Sequence, residues 1–206
     1  MEIKTKLDDK EIKAYLAKLL KLAGTLQPYF VSAAATLDMS VMKNFRQQGR
    51  PTRWTALSPL TKAIRTAEGT LKGSPILQRM GTLRQSIGTE IREIQSNALL
   101  YGTKQVKAGL LQYGGTIKPK KGKYLTIPFP GVTGRARDYK KTFVRKGGRV
   151  IYEKSGKGIR PLFMLLRSVT IPPRPYLMFQ EEDIKALSEM CLAYVMDIER
   201  TQSLAK

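Results

Sequence analysis

Arginine, lysine and tyrosine are the side chains with which this sequence could do chemistry, because the usual catalytic partners are missing. No histidine occurs among its 206 residues. A Ser-His-Asp or Cys-His arrangement therefore cannot form within the chain, nor can a zinc site that uses imidazole. Cys191 is the only cysteine, so it closes neither a disulfide nor a thiolate metal site within the chain. Sixteen Asp and Glu against 37 Lys and Arg leave few carboxylates for metal cages or paired acid–base work. A catalytic Lys or Tyr is not excluded, but no spacing points to one. Glycines are spread over turns, and neither the P-loop nor the Rossmann glycine pattern occurs. Gly114-Gly115-Thr116 lacks the following Lys and helix that would make it a phosphate cradle. The sequence thus offers no catalytic residue, no metal ligands and no cofactor site.

What it offers is positive charge, at +21 overall. Residues 1–48 carry a net +3, residues 49–118 +8, residues 119–170 +12 and residues 171–206 −2. A field of this size attracts polyanions and keeps copies of the chain apart until something neutralises it. The strip Lys118-Pro119-Lys120-Lys121-Gly122-Lys123-Tyr124, with Arg135 and Arg137 beyond it, suits contact with phosphates or with an acidic protein surface. Phosphate contact of that kind weakens steeply with salt. Tyr124, Phe129, Tyr139 and Phe143 have rings that can stack on bases. Tyr124 and Phe143 also fall in expected strands, where a place on the sheet serves equally well. Arg174 is a different signal. Pro173 and Pro175 stiffen the chain on both sides, so its guanidinium is held at low entropic cost, either as an internal clasp or as a subunit contact.

The elements that must position these groups can be read from periodicity and punctuation. Ile12, Tyr15, Leu16, Leu19 and Ala23 predict a helix over residues 9–23, stopped by Gly24. Pro28 opens a second helix to about Gln48, with Phe30, Ala34, Leu37, Val41 and Phe45 as its apolar stripe. Ser58 and Pro59 start a short helix to about Ala67. Thr82 caps a turn over Leu83–Ser86, and the alternation of Ile87, Thr89 and Ile91 predicts a strand. That strand pairs with one over Ala98–Thr103 across Gln95-Ser96-Asn97. A short helix over Gln105–Tyr113 ends at Gly114-Gly115. Further strands are expected at Tyr124–Ile127, Thr142–Arg145, Arg149–Tyr152 and Leu162–Thr170, with Gly147-Gly148 as a hairpin turn. Gly131–Asp138 has no periodicity and reads as mobile. A last helix over Glu181–Arg200 buries Ile184, Leu187, Cys191, Tyr194, Val195 and Ile198, which makes Cys191 a core thiol. The fold class is α+β: a small antiparallel sheet with an extended basic hairpin region, packed by helices at both ends. Length and composition suit one domain over residues 1–206, divided at 48, 118 and 170. The start Met1-Glu2-Ile3-Lys4-Thr5-Lys6 has no apolar stretch behind it, and apolar runs are shorter than the ~18 residues that span a bilayer. The chain reads as a soluble product of a reducing cytosol, with no membrane partner.

Five segments in order resemble a known family. They are Trp54-Thr55-Ala56-Leu57-Ser58-Pro59-Leu60-Thr61-Lys62, the run from Ile76 to Ile87 that holds Arg79 and Arg84, Tyr101-Gly102-Thr103, Leu111-Gln112-Tyr113-Gly114-Gly115-Thr116-Ile117, and Ile171-Pro172-Pro173-Arg174-Pro175-Tyr176-Leu177. The succession, over about residues 45–180, resembles the phage virion morphogenesis family, which includes tail completion proteins of Mu-like and P2-like phages. It is also similar to small neck and tail-terminator proteins of siphophages. Trp54, Leu57 and Leu60 match the family's early segment; Leu77, Gly81, Leu83 and Ile87 match the next. Gly114 and Gly115 match its turn, and Arg174, Pro175 and Tyr176 its late segment. The stretch 118–170 is longer than in compact members, and Lys104-Gln105 stands where an apolar–proline pair is more usual.

The resemblance implies a structural protein without catalysis, acting where the finished tail meets the head. It would be a ring, often a hexamer, that caps the tail tube, contacts neck or connector proteins and resides in the virion after assembly in the host cytoplasm. Trp54, Arg79, Arg84, Gly114, Gly115, Lys120, Lys121, Lys123, Arg135, Arg137, Arg174, Pro175 and Tyr176 are the candidate assembly residues. The charge leaves a second reading open, non-specific nucleic-acid binding through residues 119–170, including contact with packaged DNA.

Overall fold

A computed structural model describes residues 26–70, 75–156 and 158–204. The helix expected over residues 9–23 lies outside the described residues. Helices α1 (Gln27–Gln47), α2 (Pro59–Ala67) and α3 (Thr82–Ser86) precede strands β1 (Ile91–Ile94) and β2 (Leu99–Gly102). After α4 (Ala108–Tyr113) come β3 (Gly115–Ile117), β4 (Leu125–Pro128), β5 (Thr142–Val144), β6 (Val150–Ser155), β7 (Gly158–Leu166) and β8 (Val169–Ile171). Helix α5 (Glu181–Leu204) follows. Helices with small antiparallel sheets make this an α+β fold, as expected. Among the described residues no helix is long and apolar enough to cross a membrane.

The described chain falls into two compact units. One holds residues 26–42, 86–103 and 179–204. In it β1 and β2 form an antiparallel hairpin with Ile91 opposite Gly102 and Ile94 opposite Leu99. Ala34, Leu37 and Val41 are buried, as the stripe on α1 predicts, and so is Ala33 beside it, whereas Phe30 is half-buried. Polar side chains tie the elements together. Asp38 on α1 accepts from Arg92 Nη2 at 2.6 and 2.7 Å and from Tyr101 Oη at 2.6 Å. Burial, and then the bond to Asp38, pushes the Tyr101 phenol well above its ordinary value. Tyr29 Oη donates to Leu187 O at 3.2 Å, joining α1 to α5. Ser40 Oγ donates to the buried Asp183 carboxylate, which also accepts from Gln180 N and so caps α5.

The strand expected from Ile87 begins later, at Ile91. The N–H groups of Thr89 and Glu90 both return to Ser86 O, so the chain turns at α3 before it extends. Ile87 is buried in that turn, which is why it mimics an inward strand position. On α5 Asp183 is buried, whereas Leu187, Cys191, Tyr194, Val195 and Ile198 are half-buried and Ile184 is exposed, so Cys191 lies at the edge of the packing and not in a core. Asp183 takes the place that periodicity assigns to Ile184.

The second unit holds the described residues of 43–85 and 104–178. Ser58 caps α2 by accepting from Thr61 N, with Pro59 at the first helical position. Strands β3 and β8 pair antiparallel, Gly115 opposite Ile171. Strands β4, β7, β6 and β5 form a four-stranded antiparallel sheet in that order. The single strand expected over Leu162–Thr170 is two, β7 and β8, and each belongs to a different sheet. The break falls at Arg167-Ser168, two consecutive exposed polar residues where an alternating strand would carry one. Phe45, Trp54, Tyr176, Leu162 and Phe163 are buried. Trp54 lies edge-on to Phe45 at 5.6 Å, and Tyr176 lies 5.8 Å from Phe45 on centroids. Aromatic clusters of this kind contribute beyond the area they bury.

Candidate functional site

The proline–arginine–proline segment is held by side chains from three distant stretches. Arg174 is 8% exposed, and its Nε and Nη2 both donate to Thr55 O at 3.1 Å. Burial, and then the charge of Arg65, lowers its pKa. The guanidinium is thus an internal clasp, one of the two roles its sequence setting allows. Trp54 Nε1 donates to Pro175 O at 3.1 Å, so residues 54–55 grip the segment twice. Gln112 acts like a strand edge made from one side chain. Its Oε1 accepts from Tyr176 N and Leu177 N at 3.0 and 3.1 Å, and its Nε2 donates to Leu177 O at 3.0 Å. Arg174 N donates to Leu111 O at 2.9 Å. Burial raises the Tyr176 phenol pKa, with Tyr113 adding to the shift.

Asn44 completes the clasp from α1. It is 0% exposed, its Nδ2 donates to Tyr176 O and Met178 O at 3.0 and 2.8 Å, and its Oδ1 accepts from Arg50 Nε at 2.7 Å. Neither Asn44 nor Gln112 is among the candidate assembly residues expected from the sequence. A signal for Asn44 exists: it stands three residues after Val41 and seven after Leu37, on the buried side of a helix, where a polar residue must find partners. Gly114 ends α4 at φ 72°, and a Cβ there would sit 2.7 Å from Pro173 N and 2.9 Å from Ile171 O. The turn therefore needs glycine to let the segment pass.

The candidate residues separate into two sets. Trp54, Arg174 and Tyr176 are buried in the clasp, with Pro175 beside them. Lys120, Lys121, Lys123, Arg135 and Arg137 are exposed. Arg79 pairs with Glu68 at 2.6 Å, and Arg84 is half-buried on α3. In the basic stretch both acids are already engaged. Asp138 accepts from Arg135 N at 2.7 Å, and Glu153 pairs with Arg160 at 2.7 Å. The excess cations there are left for solvent or a partner.

The aromatic residues that could stack on bases have neighbours within the chain. Phe143 stacks on Tyr152 at 5.8 Å, and Arg145 covers the other ring contact of Tyr152 at 5.1 Å. Tyr139 meets Phe163 edge-on, and its hydroxyl donates to Thr133 O at 2.6 Å. That bond and a turn of 3-10 helix at Ala136–Asp138 give local structure to the stretch read as aperiodic. Phe129 and Tyr124 are half-buried. This surface is basic without offering free aromatic platforms from Tyr139 or Phe143. Among the described residues no cluster of three His, Cys, Asp or Glu side chains could hold a metal ion.

Comparison with curated proteins and with solved structures finds no match. A family model described as the phage virion morphogenesis family matches residues 7–196. That span takes in the clasp, both sheets of the second unit and the hairpin of the first, so the chain belongs to the phage virion morphogenesis family.

Proposed function

We propose that this chain is a tail completion protein, a structural and non-catalytic virion subunit that closes the head-proximal end of a phage tail and joins it to the head. It works as a ring, in the commonest form a hexamer, on the end of the tail tube. The observation that carries this reading is the family match over residues 7–196. The clasp supports it: three of the five segments that resemble the family, those holding Trp54-Thr55, Gln112 and Arg174-Pro175-Tyr176, meet for an architectural purpose, namely fixing the last of them in one place. Closed rings are the ordinary outcome of heterologous contacts that return on themselves. Native mass spectrometry and negative-stain imaging of the protein, alone and with purified tails, test the proposal. Rings or tail-end density are expected, and a monomer that never binds tails would refute it.

The exposed Lys120, Lys121, Lys123, Arg135 and Arg137 favour a second reading, non-specific contact with nucleic acid. Within a joining protein that contact would be with packaged DNA. A salt titration separates the readings, because binding through phosphates alone is lost as salt rises. Tight, sequence-dependent affinity at physiological salt would favour a dedicated nucleic-acid binder.

A further inference from the structure

Beside the clasp lies a cleft of about 240 Å³ lined by Arg65, Lys107 and Arg174, with Thr82 and Gln105, over leucines 57, 77, 83 and 111. Arg65 and Arg174 are each 8% exposed. Among the described residues neither has a carboxylate within ion-pair distance, and no acidic side chain lines the cleft. Glu68, the acid closest in sequence to Arg65, is taken by Arg79. Arg65 donates only a long 3.5 Å bond to Pro75 O, and Arg174 directs Nε and Nη2 to one carbonyl. Burial lowers the pKa of both, and each is further lowered by a neighbouring arginine, Arg79 for Arg65 and Arg65 for Arg174, with Glu68 acting in the opposite sense on Arg65. Two buried guanidinium groups, in a cleft with no acidic side chain in its lining and only the already paired Glu68 acting against the burial of Arg65, weaken an isolated chain unless an anion arrives.

We infer that this cleft receives the carboxylate of a glutamate or aspartate side chain from a neighbouring protein in the assembled tail. The planar guanidinium groups suit a carboxylate. The leucines suit the methylene stem behind it. The volume lies below the ~300 Å³ at which pockets for whole small ligands begin, so it fits one side chain rather than a nucleotide. Phosphates of a duplex are met on open surfaces, as the lysines at 120, 121 and 123 would meet them. The identity of the neighbour rests on the joining role proposed above, whereas the chemistry of the cleft does not.

The test uses the full chain, with glutarate, inorganic phosphate and a short DNA duplex as probes in thermal-shift and calorimetric titrations. Glutarate should raise the melting temperature, and its apparent affinity should fall about tenfold in R65M, the loss expected for a charge-assisted bond. R65M without ligand should melt no lower than the parent, because it removes a buried charge that Glu68, already paired with Arg79, offsets only in part. K107Q, at the exposed rim, should weaken glutarate by a smaller factor and serves if R65M does not fold. K146Q, far along the chain and exposed, should change nothing. A glutarate response identical in R65M and K107Q, or no response at all, overturns the inference. So does a response to phosphate or duplex DNA that R65M abolishes while glutarate has none. In a tail-binding assay R65M should lose attachment. Normal attachment by R65M would overturn the assigned occupant, while failure of the parent itself to attach would refute the joining role and leave the carboxylate chemistry standing.

Discussion

Replacing Asn44 with alanine should cost the second unit about 4 kcal/mol. The side chain is fully buried and serves three partners: Tyr176 O, Met178 O and Arg50 Nε. Truncation takes a hydrogen-bond partner from two carbonyls and from the buried Arg50 guanidinium, and each buried group left unsatisfied costs roughly 1–3 kcal/mol. Some of this is recovered where water can enter, since Met178 is only half-buried. The cavity left by an amide is small and adds little. The sum is therefore about 3–5 kcal/mol, large for a single substitution. Trp54, the only tryptophan, is buried against Phe45 and reports unfolding of this unit by its fluorescence. With a urea slope of roughly 2 kcal/mol/M, the midpoint of N44A should fall by about 2 M. S32A removes an exposed hydroxyl whose bond among the described residues is a long 3.5 Å contact within α1, and should leave the unfolding curve in place. A loss under about 1 kcal/mol in N44A would mean that the three bonds do not hold the proline–arginine–proline segment, and the account of the clasp would fail.

Gly114→Ala should destabilise by about 2–4 kcal/mol, because it combines a positive φ with contacts at 2.7 and 2.9 Å, whereas Gly131→Ala, at φ 77° with open space around it, should cost about 1 kcal/mol; equal losses in denaturant melts would contradict the close approach of Pro173. Stability should vary little between pH 6 and 9 for want of any histidine, then decline from about pH 10. The phenols of Tyr29, Tyr101 and Tyr176 are all raised in the folded chain, so above the ordinary tyrosine value the unfolded chain gives up protons that the native chain keeps, and stability drops as pH rises; a melting temperature that holds or climbs above pH 10 would contradict the burial of these hydroxyls. The triple variant K120Q/K121Q/K123Q should keep its stability within about 0.5 kcal/mol, since all three side chains are exposed, and should lower the salt dependence of any DNA binding by a slope of about 3. An unchanged slope would place DNA contact elsewhere.

Local punctuation carried the sequence reading furthest. Ser58-Pro59, Gly114 and Gly147-Gly148 each mark an element end where the structure has one, because a cap, a left-handed turn and a tight hairpin are decided by a few adjacent residues. The stripe on α1 was legible for the same reason. What failed depended on partners far away in sequence. Leu162–Thr170 is strand-like on both sides of Arg167-Ser168, and the pairing of β7 with β4 and β6, and of β8 with β3, sends the two parts to different sheets. Ile184 fits the helical period, but the inward place goes to Asp183, which finds Ser40 across the unit. The bonds that build the clasp span 119 to 134 positions for Asn44, Trp54 and Arg174, a separation at which single-residue propensities say nothing.

Two kinds of residue share the short list of assembly candidates, and their burial separates their roles. Trp54, Tyr176 and Pro175 spend their chemistry on the chain's own interior, so substituting them tests folding before it tests assembly. The lysines at 120, 121 and 123 and the arginines at 135 and 137 hold nothing in the interior, so their loss reads directly on whatever meets the surface. Arg174 belongs to both sets. Two of its nitrogens fix Thr55, and the same guanidinium borders the cleft. Substitution at Arg174 therefore confounds folding with binding, whereas Arg65, tied to the fold by one long bond to a carbonyl, separates them. A carboxylate partner is therefore better tested at Arg65 than at Arg174, although only Arg174, between its prolines, stands out in the sequence.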